Sequence, residues 1–383
     1  MRITHIITGL NDGGAEAVLY RLCKHERVHQ HQVISLSSSG KYGPMLEALG
    51  VAVIALKMSA DQPSLLAFFR LVKLLRRAKP DLVQTWMYHA DLFGGLAARM
   101  AGIQKVVWGI RNTTLESGKS KRTTIWIVKL LAKVSWFLPA KIIVCAQRAM
   151  NVHEALGYDR SKMRFVANGY DMEDFRPGLD LRGQFRASLY PDHSIPLIGT
   201  VGRFDPQKDH ANLLDALLIL AKQGIAFQYL LVGTGLDISS VQITKWISQR
   251  GLSKHVQLLG QRNDIPYIMN ALDLHVLPSA YGEAFPNVVA EAMACGTPCV
   301  VTDVGDAAYI VGDAGWVVPP GDSSALAEAI AAALQDLSNP VRSSERSLRS
   351  RRRIKEHFGI ERMISSYAVV WSEAVNQDFK YEK

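Results

Sequence analysis

Two carboxylates, Glu283 and Glu291, stand with seven residues between them in the stretch SAYGEAFPNVVAEAMACGTPCVV, residues 279–301. An ionised carboxylate only accepts hydrogen bonds, so it suits sugar hydroxyls, and a vicinal diol best of all. The apolar run Leu272–Leu277 reads as a buried strand, and the Ala/Met/Val-rich run after Pro286 as a helix. Glu283 then lies in a strand-to-helix loop and Glu291 about one turn into the helix. In a parallel sheet such loops gather at the carboxyl edge, where ligands bind. Pro286 suits a first helical position, and the free amides of that turn face an anion. Sugar-hydroxyl acceptors around an amide-lined cradle describe a site for a nucleotide sugar.

Arg203 and Lys208 follow an apolar run and flank Pro206. An Arg forks two phosphate oxygens and a Lys acts as a point charge, so both can face one diphosphate and stabilise it as it departs. Two solvated surface cations are the alternative. No D-x-D pair accompanies them, since Asp171 and Asp174 fall in an irregular stretch. Protein cations are therefore expected to replace a metal, and no cofactor is expected. Near the start, GLNDGGAE (residues 9–16) enters a helix at Ala15. Its glycines let backbone approach a phosphate at a helix N-terminus. A plain strand-to-helix turn is the alternative, and the spacing is not the dinucleotide fingerprint.

The elements that must hold these groups alternate. Strand patterns at Ile3–Ile7, Gln32–Leu36, Ala52–Leu56, Leu82–Thr85, Lys105–Trp108 and Lys141–Cys145 are separated by helical patterns. The alternation resumes through Pro196–Gly202, Gln228–Gly233, Val256–Leu259, Leu274–Leu277 and Pro298–Thr302. This is the parallel α/β pattern, and 383 residues suit two such domains. A Pro- and Gly-bearing stretch over 168–194 marks the junction. We place domains at 1–180 and 181–359, with a terminal amphipathic helix in 360–383.

Composition narrows the function. Residues 1–180 carry 25 Lys+Arg against 14 Asp+Glu, a net +11, and residues 181–383 carry 19 against 21, a net −2. One basic half points to a face meeting an anionic surface or substrate, and the chain has no nucleic-acid-binding motif. Cys23, Cys145, Cys295 and Cys299 lack metal or disulfide spacing and read as buried thiols. The N-terminus does not read as a signal peptide, and no apolar run reaches spanning length. A cytoplasmic location fits.

Six segments in order, GLNDGGAE, NGYDMEDFRP (168–177), GRFDPQKD (202–209), LLVGTG (230–235), VQLLGQRNDIP (256–266) and the Glu-x7-Glu stretch, resemble the retaining family-4-type glycosyltransferases. The resemblance covers nearly the whole chain. It implies the GT-B fold: two Rossmann-like, doubly wound parallel-sheet domains facing across a cleft, with the terminal helix packing back on the first. It implies a UDP-sugar donor in the second domain, an acceptor saccharide at the first and transfer with retention through front-face substitution. A GDP-sugar donor, or a non-catalytic nucleotide-sugar-binding subunit, are the alternatives.

By that resemblance Glu283 contacts the donor sugar, Glu291 the ribose hydroxyls, and Arg203 and Lys208 the diphosphate beside Gly202. The loop Ala284, Phe285, Pro286, Asn287 and Val288 lines phosphates and sugar. Gly260, Gln261 and Arg262 clamp the base, and Gly13 and Gly14 face the diphosphate from the first domain. Where many relatives carry a histidine near the reacting centre, VVWGIRNT places Arg111. His89, in WMYHADLFGG, is the nearest imidazole. Arg111 cannot act as a general base.

Residues 119–138 set Arg122, Lys129 and Lys133 on one helical face with Trp126, and Trp136 and Phe137 at its end. Basic and aromatic groups together fit an interfacial helix on an anionic membrane, at the inner face if the acceptor is lipid-linked. Arg70, Lys73 and Arg77 form a second stripe that reads as a solvated face.

Overall fold

The computed structural model describes residues 1–58, 65–113, 122–189 and 195–376. The chain divides into two units, Met1–Gly169 with Ile360–Lys383, and Tyr170–Gly359.

Unit 1 runs β1 (Arg2–Ile7), α1 (Gly14–His25), β2 (Gln30–Ser35), α2 (Tyr42–Ala48), β3 (Ala52–Ala55), α3 (Leu65–Ala78), β4 (Leu82–Trp86), α4 (Tyr88–Met100), β5 (Val106–Ile110), α5 (Arg122–Val134), β6 (Lys141–Val144), α6 (Gln147–Ala155) and β7 (Met163–Phe165). Unit 2 runs α7 (Leu179–Leu189), β8 (Leu197–Val201), α8 (His210–Lys222), β9 (Gln228–Val232), α9 (Val241–Gln249), β10 (Val256–Gly260), α10 (Ile265–Ala271), β11 (Leu274–Leu277), α11 (Asn287–Ala294), β12 (Cys299–Thr302), α12 (Ala307–Val311), β13 (Trp316–Val318), α13 (Ser323–Leu337) and α14 (Pro340–Phe358). The last helix, α15 (Ile360–Asn376), belongs to unit 1.

Both sheets are parallel. Their orders are β3-β2-β1-β4-β5-β6-β7 and β10-β9-β8-β11-β12-β13. Continuous apolar strands such as Val106–Ile110 are buried on both faces, as helix-covered parallel strands must be. In each sheet the winding reverses once, between β1 and β4 in unit 1 and between β8 and β11 in unit 2. Loops leaving the two strands at such a reversal splay apart and open a crevice.

The unit boundary falls at 169/170, inside the expected junction stretch 168–194 and eleven residues before the expected 180/181. Residues 170–180 are tied to unit 2: the Tyr170 amide donates to the Phe358 carbonyl at 2.9 Å, and the Gly178 amide to Asn270 Oδ1 at 2.8 Å. The α15 helix inserts Met363, Tyr367, Val370, Trp371 and Ala374 into the core of unit 1. Trp371 Nε1 donates to Gln84 Oε1 at 3.1 Å, and Lys105 Nζ holds the Val375 carbonyl at 2.6 Å.

The basic run of α14 is largely a set of internal clamps. Arg353 Nε donates to the Ile310 carbonyl at 2.6 Å, and Arg346 pairs with Asp336 at 2.8 Å while lying over the Trp316 ring. The four cysteines are free and buried.

Candidate functional site

In unit 2 the β8–α8 and β11–α11 loops leave adjacent strands, with Leu274 paired to Ile198. That adjacency brings Lys208 and Glu283, 75 positions apart, to 2.5 Å between Nζ and Oε1. Local capping sets the reach of Lys208. Asp205 Oδ1 accepts the Gln207 amide at 2.9 Å and starts a short 3-10 turn over Pro206–Lys208. Asp209, in the left-handed region at φ 46°, then caps α8.

Glu283 is buried. It accepts Ser279 Oγ at 2.7 Å, and the Ser279 carbonyl in turn accepts Thr302 Oγ1 at 2.7 Å. Burial pushes its carboxyl up, but the Lys208 charge and hydrogen bonds from Lys208, Ser279 and Gln207 outweigh that and hold it below the usual carboxylate range. It is therefore an ionised acceptor. Gly305, at φ 57°, lets the β12–α12 loop press on this segment, since a Cβ there would collide with the Glu283 and Ala284 carbonyls. The Asp306 amide donates to the Ala284 carbonyl at 2.9 Å.

Helix α11 starts at Asn287, one residue after Pro286, which takes the N-cap position instead of the expected first helical one. Asn287 and half-buried Glu291 lie four apart and share a helix face. The amides of Asn287 and Val288 belong to the first turn, which has no acceptor within its own helix. Ala284 and Phe285 are buried behind them.

The cations expected around a diphosphate are distributed. Lys208 is on Glu283, while exposed Arg203 holds Asp205 Oδ2 at 3.0 Å and exposed Arg262 pairs with Asp264 at 2.6 Å. Gly202 lies against the Lys208 stem. Gly260 ends edge strand β10 at φ 65°, and Gln261 follows it exposed.

In unit 1, Gly13 and Gly14 stand at the β1–α1 loop and His89 in the first turn of α4, so they share the β1/β4 reversal. The Glu16 carboxylate already lies against Gly13, where a Cβ would collide with it. Burial raises the Glu16 carboxyl, and Asp12 adds to this. His89 is exposed. Arg111, past the end of β5, is held in a socket. It donates to Asn168 Oδ1 at 2.6 Å and to the Tyr367 hydroxyl, and it lies 4.6 Å from the Trp86 ring centroid.

Sequence reasoning passed over Ser279, Thr302, Gln207 and Asp91. Asp91 is fully buried, with Oδ1 accepting Thr85 Oγ1 at 2.5 Å and the Gly109 amide at 3.2 Å. Burial pushes its carboxyl up to about 8 against the opposing hydrogen bonds and Arg111. Within YHADLFGG it reads as an ordinary polar helix residue.

His5, Cys23 and His31 lie close enough to share an ion. Their hydrogen bonds oppose one. Trp86 Nε1 can only donate, and it donates to His5 Nδ1 at 3.2 Å. His5 Nε2 thus carries the proton toward His31 Nδ1, 2.9 Å away, and His31 Nε2 passes its proton to Glu26 Oε2 at 2.6 Å. Both nitrogens an ion would need are engaged, so the cluster is a structural relay beneath α15.

Arg122, Trp126, Lys129 and Lys133 are all exposed along α5, with Trp126 65% and Trp136 64% exposed. Residues 119–121 of the expected basic face lie outside the described residues. Arg99 Nε on the Leu138 carbonyl at 3.1 Å and Lys162 Nζ on the Ser135 carbonyl at 3.1 Å hold the turn that projects Trp136 and Phe137. The exposed side of α3 mixes Arg70, Lys73 and Arg77 with Leu65, Leu66 and Phe69. Among the described residues no helix is long and apolar enough to cross a membrane.

Two parallel Rossmann-like sheets with a carboxylate–lysine pair at the reversal of the second define the GT-B class. Residues 12–174 match the Glycosyltransferase Family 4 profile and residues 195–336 the Glycosyl transferases group 1 profile. The chain belongs to the family 4 glycosyltransferases. It is 30% identical over 255 residues to the UDP-Gal:alpha-D-GlcNAc-diphosphoundecaprenol alpha-1,3-galactosyltransferase of Escherichia coli, a match spanning 64% of this chain and 62% of that one. It is 24% identical to the N,N'-diacetylbacillosaminyl-diphospho-undecaprenol alpha-1,3-N-acetylgalactosaminyltransferase of Campylobacter jejuni, over 77% of this chain and 79% of that one. In fold it is similar to the crystal structure of Anabaena HepE in complex with UDP, with a TM-score of 0.83 at 24% identity, covering 97% of this chain and 100% of that one.

Proposed function

We propose that the protein is a retaining glycosyltransferase that moves a hexose or N-acetylhexosamine from a UDP-sugar to a polyprenyl-diphosphate-linked saccharide. The observation that carries this is the buried, ionised Glu283 paired with Lys208 at the β8/β11 reversal, one loop before the helix bearing Glu291. Glu291 accepts the ribose diol and Glu283 the sugar hydroxyls. Lys208, Arg203 and the first α11 amides balance the diphosphate charge that grows as the glycosidic bond breaks. The diphosphate draws Arg203 away from Asp205, an exposed pair worth little on its own.

The names of the E. coli and C. jejuni relatives, both acting on diphosphoundecaprenol-linked sugars, support the acceptor class. The exposed cations and aromatics of α5 support a reading in which the enzyme docks on an anionic leaflet and works at the inner face of the cytoplasmic membrane. No metal enters the reaction in this reading, because the positive charge comes from side chains.

The test is product formation from a panel of UDP- and GDP-sugars with a polyprenyl-diphosphate saccharide, in excess EDTA. Transfer from one UDP-sugar with the anomeric configuration kept is expected. Release of free sugar alone, or activity recovered only with Mg²⁺ or Mn²⁺, contradicts it.

A further inference from the structure

Tyr170 is the first residue of unit 2 and is fully buried. Its hydroxyl donates to Asn287 Oδ1 at 2.5 Å. Asn287 is the first residue of α11, so a residue at the chain's entry into unit 2 holds the head of the helix that carries Glu291. The tail of the same helix is held too. Arg351 donates to the Ala294 carbonyl at 2.5 Å, and to the Phe175 and Met172 carbonyls at 2.8 and 2.9 Å.

The entering and leaving segments are joined to each other by the Tyr170 amide on the Phe358 carbonyl, and the Phe358 ring meets Phe285 edge-on at 5.4 Å. Residues 170–175 and 351–358 thus form one brace against the 285–294 segment.

An asparagine amide has two similar orientations, and a phenol proton on one atom selects between them. Tyr170 fixes the Asn287 oxygen toward the brace, and that fixes the plane of the amide and the direction of its NH2. We propose that Tyr170 is a positioning residue for the donor site: it orients Asn287 and the first turn of α11 toward the nucleoside diphosphate, and diphosphate binding in turn tightens residues 170–175. This rests on reading α11 as the donor helix.

The experiment is calorimetric titration of UDP into the full chain, wild type against Tyr170→Phe, Asn287→Ala and the double variant, with hydrogen exchange of residues 168–176 followed with and without UDP. Tyr170→Phe keeps the buried ring, so the fold is expected to survive, checked by its melting temperature. Losing one hydrogen bond to a half-buried amide is expected to weaken UDP about 5- to 10-fold. The double variant is expected to bind no worse than Asn287→Ala alone. UDP is expected to slow exchange at 170–175 in the wild type and not in Tyr170→Phe, a ligand-linked change that a purely structural contact does not produce. Unchanged UDP affinity in folded Tyr170→Phe, additive losses, or equal protection in both overturns the proposal while leaving the donor site standing. A wild type that does not bind UDP overturns the donor reading and the proposal with it.

Discussion

Lys208 Nζ sits 2.5 Å from Glu283 Oε1 inside unit 2, and each group is the other's counter-charge in a largely buried place. Removing the lysine strands a buried carboxylate, which typically costs about 3 kcal/mol or more. Lys208→Met is expected to destabilise unit 2 by that order and to cut transfer at least about 100-fold. Lys208→Met with Glu283→Gln is expected to regain much of the stability and none of the activity. Urea unfolding beside steady-state transfer checks this. Equal destabilisation by the double variant would show that the pair is not coupled.

Apolar runs mark eleven strands, and the two missed among the described residues, Met163–Phe165 and Trp316–Val318, are three residues long, too short for any periodicity. Glu283 and Lys208 were each recognisable as candidates. Their direct contact depends on β11 lying beside β8, a long-range pairing that no local pattern encodes. Ser279, Thr302 and Tyr170 are single hydroxyls inside apolar or irregular stretches, and only burial shows that each must find a partner. The charge run of α14 is equally opaque to local pattern, because Arg346 is turned onto Asp336 and the Trp316 ring and Arg351 and Arg353 onto carbonyls.

Acid should weaken both units before carboxylates begin to titrate. Burial lowers His153 and His210 to about 4 and His275 to about 3, and neither ring nitrogen of His275 has a hydrogen-bond partner among the described residues. A depressed folded value means that the unfolded chain takes up the proton first. The stability is complete above the unfolded value near 6.5 and is lost as pH falls toward the folded one. From pH 6.5 to 5 each of these three is expected to cost on the order of 2 kcal/mol. Melting temperatures across that window should drop for the wild type and drop less for His275→Leu. Parallel curves would refute the assignment.

Asp91 acts with the opposite sign. Its folded value, raised to about 8, keeps it protonated at neutral pH while the unfolded chain ionises. Stability is therefore lost as pH rises toward 8. Between pH 6 and 8 the wild type is expected to lose on the order of 2 kcal/mol relative to Asp91→Asn. Denaturant titrations of both proteins at the two pH values decide it, and a constant difference would count against a neutral Asp91.

Changing Arg122, Trp126, Lys129 and Lys133 together to Ser is expected to release the protein from anionic vesicles. Each cation near such a surface contributes about 1 kcal/mol, and the indole adds buried area. Co-sedimentation at low and high salt reads the effect, with UDP affinity as the control. If the variant pellets as well as the wild type, α5 is a solvated face, and the exposed side of α3 becomes the next surface to alter.

The donor assignment stands or falls on Glu291. Transfer from the preferred UDP-sugar, measured for the wild type and for folded Glu291→Ala, is expected to fall on the order of 100-fold or more, because the ribose diol loses its ionised acceptor. A Glu291→Ala protein that transfers sugar at near-native rate would show that the nucleotide does not bind at the head of α11.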